Sequence, residues 1–240
     1  ARAFILETIQ EIIDRYPVDG IHFDDYFYPS SGVDSIFGDQ NTYEKYGNGL
    51  SLADFRRQSV TALVRDIKAM CDQSIQSGRR VLFGISPFGM WRHKKNDERG
   101  SNSDGGEAYS TWYADLLEWV ENERLHYIMP QLYWEFEHPI ARFADLCDWW
   151  GELMKDRLMH LYIGIPFYRF LNNPDTIDRF SAPNMLKYGS LHQAVKGYVF
   201  WHNKKLSSND CVEQVESQKI LKRMWNEDVP RPKHPFDEDK

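Results

Sequence analysis

Cysteine is scarce in this sequence of 240 residues, and the three present, Cys71, Cys147 and Cys211, lie far apart with no C-x-x-C spacing. That excludes a cysteine metal box and supplies no disulfide framework; all three fall in helical-looking segments and read as free, buried thiols. Long hydrophobic runs are missing too, since nothing approaches the roughly 18 apolar residues of a transmembrane helix. No basic block occurs, and a net charge of −7 with a pI of about 5.6 argues against a nucleic-acid partner. A Gly-rich phosphate loop, G-x-G-x-x-G or P-loop, is also lacking, and no cofactor is expected.

Aromatic residues are what the chain has in quantity: 15% of it, with 8 Trp and 13 Tyr. Part of that is core, but rings at surfaces also suit flat ligands. The length supports one domain with a real core. We place that domain at 1–228. Residues 229–240, charged and Pro-rich, read as a tail or linker.

Apolar spacing predicts a helix ending near Tyr16-Pro17, then a short strand over 19–24 and a loop-like stretch over 26–50 that includes Ser30-Ser31-Gly32. A long helix over 52–76 follows, with Gly78 as its stop. Strands at 81–85, 127–134, 161–165 and 198–201 then alternate with helices at 112–122, 140–158 and 210–225, with an irregular helical region between the last two strands. The stretch 86–106 reads as a polar loop. Strand–helix alternation implies a parallel sheet with right-handed crossovers. Two architectures compete: an open doubly wound sheet, or a (β/α)8 TIM barrel that is incomplete here. The chain opens on a helix with no strand before it, and polar and aromatic residues gather after each strand, where barrel sites are built. Both features favour the barrel.

Those strand ends form the candidate site. The first gives Asp24, Asp25, Tyr26 and Tyr28; the second Ser86, Pro87, Phe88, Trp91, Arg92 and His93; the third Gln131, Tyr133, Trp134, Glu135 and Glu137; the fourth Tyr168 and Arg169; the fifth Trp201, His202 and Asn203. Carboxylates and amides facing rings suit a carbohydrate, which offers hydroxyls and C–H faces. Side chains alternate along a strand, so His22 and Asp24 share the inward side while Ile21 and Phe23 face the helices. Asp24 is the stronger candidate for chemistry, and Asp25 serves only if the backbone turns there. Asp-Asp at a strand end is also ordinary loop chemistry, and Trp149-Trp150 reads as packing. The coincidence of five strand ends carries the functional reading; no single residue does.

The stretch V-D-G-I-H-F-D-D-Y-F-Y-P (18–29) resembles the signature of the glycosyl hydrolase-like 10 family, also called the DUF187 or YngK-like family. F-G-I-S-P-F-G-M-W-R (83–92), W-Y-A-D-L-L-E-W-V (112–120), Y-I-M-P-Q-L-Y-W (127–134) and L-Y-I-G-I-P-F-Y (161–168) look like its later blocks, in order. The resemblance spans about 2–205 and implies a (β/α)8 barrel whose strands four to eight are present. It also implies a glycosidase of bacterial cell-wall glycan, acting on strands stripped of peptide. A cell-envelope location follows from it, periplasmic or extracellular, lipoprotein forms included; a signal region would lie outside this sequence. One departure is His126-Tyr127-Ile128, where the family commonly has Asp-Tyr-Ile.

Glycoside hydrolysis needs one protonated and one ionised carboxyl. Asp24 is expected as the ionised nucleophile or base, with Asp25 or Glu135 as the acid. His22 and Arg92 would orient and tune charge. Tyr26, Tyr28, Trp91, Tyr133, Trp134, Tyr168 and Trp201 would stack on sugars, and Gln131 and Asn203 would bind hydroxyls. A non-catalytic glycan-binding barrel is the alternative from another class. A metal-dependent hydrolase ranks last, because His22 and Asp24 supply only the start of a ligand set.

Overall fold

The computed structural model describes residues 1–29, 38–171, 178–227, 230 and 232–234. The Ser30-Ser31-Gly32 part of the expected loop, and most of the tail, lie outside the described residues.

Helix α1 (Arg2–Arg15) buries Ile9 and Ile13 and stops before Pro17, whose ring disfavours a helical residue ahead of it. Strand β1 (Gly20–Phe23) follows, then α2 (Gln40–Tyr46) and α3 (Leu52–Gln76). Ser51 caps α3, its Oγ accepting the Asp54 N–H at 3.1 Å. Gly78, at φ +83°, adopts the left-handed turn that ends it. Next come β2 (Leu82–Ile85), α4 (Ala108–Thr111), α5 (Leu116–Glu121), β3 (Tyr127–Ile128), α6 (Phe143–Leu153) and β4 (His160–Ile165). A 3₁₀ turn (Phe167–Leu171), α7 (Ser181–Gly189), β5 (Val195–Phe200), α8 (Asn203–Leu206) and α9 (Val212–Met224) complete the order.

All five strands pair in parallel, in the order β1-β2-β3-β4-β5. A doubly wound sheet reverses its strand order at a switch point. This sheet has no reversal, and is compatible with part of a TIM-type barrel.

One face of the sheet is core. Ile21, Phe83, Ile85, Ile128, Leu161, Ile163 and Ile165 are buried there, and helices α3, α6 and α7 contact the strands. The alternation expected for β1 holds, since Phe23 packs edge-on to Phe83 at 5.5 Å while His22 looks the other way. The opposite face is built from tyrosines laid over glycines. A Cβ on Gly84 would meet the Tyr127 ring at 1.9 Å, and one on Gly197 the Tyr162 ring at 3.1 Å.

Several elements differ from the sequence expectation. The third strand is regular only over Tyr127–Ile128 and resumes as single bridges at Gln131, to Phe88 and Gly164. Pro130 between them has no N–H to give the ladder. The expected helix over 112–122 is broken at Tyr113, whose φ is +55°, and restarts at Asp115, which caps α5. Helix α2 lies inside the expected loop. Its residues are nearly all polar, and it is held by Tyr43 against Phe55 at 5.7 Å. In the tail, His234 is buried: its Nε2 meets the His126 carbonyl at 2.9 Å and its ring lies 4.4 Å from that of His160. That residue therefore docks against the N-terminal ends of β3 and β4. Cys71 and Cys147 are buried thiols, while Cys211 is half-buried ahead of α9. No described helix is long and apolar enough to cross a membrane.

Candidate active site

Strand β1 ends at Phe23, so strict alternation stops before the two acids. The Phe27 N–H donates to the Asp25 carbonyl at 3.0 Å, closing a turn that swings Asp25 round to Asp24. Asp24 Oδ1 accepts two N–H groups, the Asp25 amide at 2.9 Å and Gln131 Nε2 at 2.9 Å. The same Gln131 nitrogen donates to the Ser86 carbonyl at 2.9 Å, tying the ends of β1, β2 and β3 together. Burial first, then the charge of the neighbouring Asp24, push the Asp25 carboxyl up from 3.8 to about 6.

His22 stands beneath the pair. Its ring is parallel to Tyr127 at 5.8 Å, Nδ1 meets the Tyr127 hydroxyl at 3.2 Å, and Nε2 meets Ser86 Oγ at 3.0 Å. Burial lowers its pKa against the opposing pull of Asp24, which keeps the imidazole neutral near pH 7. Tyr133 lies on β3's extension, within the field of the acids. Its hydroxyl pKa is raised by burial and then by the charge of Asp24, with Tyr168, Asp25 and Tyr26 adding to it. A phenol so placed stays a donor. The Tyr133 and Tyr168 rings meet edge to face at 5.9 Å, and the Tyr168 N–H donates to the Trp201 carbonyl. Trp201 and Tyr26 are exposed at the rim, as is Asn203 at the start of α8.

Not every expected residue joins this group. Trp91 is only 2% exposed, its indole N–H bonded to Asp115 at 3.0 Å and its ring against Tyr109, so it offers no face to a sugar. Arg92 pairs with Asp97 at 3.3 Å and lies over Tyr109. Tyr28 is drawn into a buried cluster with Asp39, Arg56 and Tyr113. His93 is consumed by its own loop, bonded to Ser103 and the Gly105 carbonyl. Glu135 is held by Arg169 at 2.9 Å. Glu135 and Glu137 both line a lateral cleft of about 420 Å³ against α7, which does not include Asp24 or Asp25. Trp134 packs on Phe88 at 5.3 Å, and Phe88 on Trp112 at 4.5 Å, a ring cluster split over three sequence blocks.

Sequence reasoning placed Ser86 at the second strand's end but passed over Tyr127; both hold His22. Tyr127 sits mid-strand among apolar neighbours, and its one signal was the parallel partner Gly84, which only pairing reveals. Among the described residues, no three His, Cys, Asp or Glu side chains converge as a metal ligand set.

The glycosyl hydrolase-like 10 family profile matches residues 1–180. Glycosyl hydrolase DigH of Escherichia coli K12 is 40% identical over 197 residues, covering 80% of this chain and 44% of that protein. Glycosyl hydrolase YngK of Bacillus subtilis strain 168 is 37% identical over 215 residues, covering 87% of this chain and 41% of its own length. DigH of Escherichia coli O6:H1 is 39% identical over 231 residues, 92% of this chain and 51% of that one. The chain thus spans about half the length of the curated relatives it matches. On a profile match over most of its residues and relatives near 40% identity, the chain belongs to the glycosyl hydrolase-like 10 family.

Proposed function

We propose that the chain is the C-terminal portion of a (β/α)8 glycosidase that cleaves bacterial cell-wall glycan of the peptidoglycan type, with Asp24 and Asp25 as its working carboxyls. The observation that carries this reading is the adjacent acid pair at the C-terminal end of β1, Asp24 fixed by the Asp25 amide and Gln131 and Asp25 raised by burial and the Asp24 charge. Asp25 supplies the proton to the leaving oxygen. Asp24, fixed by Gln131 and the Asp25 amide, stays the ionised partner. Tyr133, Tyr168, Trp201 and Tyr26 provide rings and hydroxyls for the sugar. The relatives named glycosyl hydrolases support the reaction class, and the family resemblance supports the substrate class and a cell-envelope location.

The test is incubation of the full chain with purified, peptide-free glycan strands, counting new reducing ends. Asp25→Asn should cut turnover by about 10²–10⁴-fold, the usual contribution of a positioned acid. Unchanged turnover in that variant removes Asp25 from the mechanism. Strand binding with no new reducing ends from the wild type would give the glycan-binding barrel instead.

A further inference from the structure

The lateral cleft that takes Glu135 and Glu137 is one half of a longer trough. Its walls are the β3–α6 connection over 135–139 and the start of α7, where Ser181, Asn184 and Met185 line it. A second hollow of about 480 Å³ shares Glu137, His138 and Pro139 with it and continues to Asn102, Ser103 and Asp104. The trough thus crosses the β2–α4, β3–α6 and β4–α7 connections, all at the C-terminal end of the sheet, where Asp24 and Asp25 stand. The extension of β3 leads to it from the acids. Gln131 touches Asp24 at 2.9 Å, and Glu135 lies four residues further on, at most about 14 Å of chain.

The walls are held by their own bonds. Glu135 is pinned to Arg169 at 2.9 Å, and its carbonyl accepts the His138 and Phe143 N–H groups, which folds the connection back on itself. Phe136 packs on Phe143 at 5.1 Å and on Tyr188 at 5.6 Å. The β2–α4 loop is wound around buried Glu107, whose carboxylate accepts the His93 amide at 2.9 Å and Asn96 Nδ2 at 2.6 Å. Most of the trough's charge is neutralised within these walls. Glu135 has Arg169, Asp104 has Lys95 at 2.7 Å, and Asp145 has Arg142 at 3.0 Å. Among the described residues, three polar side chains of the trough are left without a partner: Glu137, His138 and Asn184. The His138 Nδ1 is buried in that state, a cost that a binding group offsets. Beside them, Pro139 and Ile140 give the trough apolar edges.

A few convergent polar groups among apolar ones, on fixed walls, make a ligand site, and the balanced charge suits an uncharged, hydroxyl-rich ligand better than an ion. We infer that the trough is a second glycan-binding site, which holds the strand some sugar units away from the bond presented to Asp24 and Asp25. Asn184, Glu137 and His138 bond its hydroxyls, and Pro139 and Ile140 meet its C–H faces. This deepens the glycosidase reading above: the chain grips a strand at two places, and its affinity grows with strand length.

The experiment uses the full chain, long peptide-free glycan strands, and a tetrasaccharide cut from them that is too short to reach the trough from the acids. Asn184 and Glu137 are exposed, so Asn184→Ala and Glu137→Ala, alone and together, should melt level with wild type. On long strands the double variant should raise KM about 10-fold and leave kcat unchanged, since two hydrogen bonds lost equally from ground and transition state act on binding alone. In an Asp25→Asn background, calorimetry should show the same loss of affinity for long strands and none for the tetrasaccharide. Long-strand KM and affinity within about two-fold of wild type overturn the inference and leave the glycosidase reading intact. An equal loss on the tetrasaccharide does the same, and so does a loss seen only with peptide-bearing strands, which would make the occupant a peptide. Strand binding that weakens in the variants, with no cleavage by wild type, keeps the second site and overturns the glycosidase reading. No binding of strands by wild type overturns both.

Discussion

Asp25→Asn should raise stability in mild alkali and leave it unchanged in acid, while removing activity. In the folded chain Asp25 is held at about 6, against 3.8 when free of its neighbours. A raised carboxyl contributes stability that is fully present below the unfolded value, near 4, and lost as pH rises through about 6. Above that, the folded state carries a carboxylate that burial and Asp24 oppose. Two pKa units correspond to roughly 3 kcal/mol. Asp25 is half-exposed at the cavity, so solvent screening reduces this to about 1–1.5 kcal/mol. Asparagine has similar volume and keeps an N–H donor toward Asp24, but it has no charge to repel. The variant should thus melt about 2–5 °C above wild type near pH 8 and level with it near pH 4, read by calorimetry across that range. An equal offset at every pH, or a variant less stable at about pH 8, would refute the account of Asp25 as a carboxyl raised by burial and by Asp24.

Three further outcomes follow from the same structure. His126 is buried, its Nδ1 accepts the Phe83 N–H at 2.9 Å, and desolvation lowers its pKa despite Asp72 at 3.0 Å. Its folded pKa lies below the unfolded 6.5, so stability falls as pH drops from there. His126→Asn, which keeps the acceptor but does not titrate, should flatten that limb of the urea midpoints. Asp39 pairs with the buried Arg56 through bonds of 2.7 and 2.9 Å, and Asp39→Ala should cost about 3–5 kcal/mol by stranding that guanidinium from its carboxylate, measured by denaturant unfolding. Gly84→Ala should cost about 1–3 kcal/mol, because its Cβ would lie within the Tyr127 ring. In a Tyr127→Ala background the penalty should largely disappear.

Local patterns were legible where the periodicity was strong. The apolar spacing of α3 located that helix over Leu52–Gln76, and alternation set Ile21 and Phe23 against His22. Helix α2 was not legible, because Q-N-T-Y-E-K-Y has no apolar stripe and is held by contacts to α3. Nor could the sequence sort its rings. Trp91 and Tyr133 both follow a strand, yet one is sealed against Asp115 and Tyr109 while the other lies within the field of the acids. A ring's neighbours come from other strands and loops, and local spacing carries no record of them.

Sequence alone determined the parallel alternation, the family and the address of the candidate site at the strand ends, because strand period and chain order are local properties. The tertiary structure decided how the two acids are placed. Alternation separates adjacent side chains only while the strand lasts, and β1 ends at Phe23. Beyond it, the Asp25 amide and Gln131, reaching across β2, fix Asp24 beside Asp25. The raised pKa of Asp25 depends on burial and on the nearness of Asp24, which exist only once the strands are assembled.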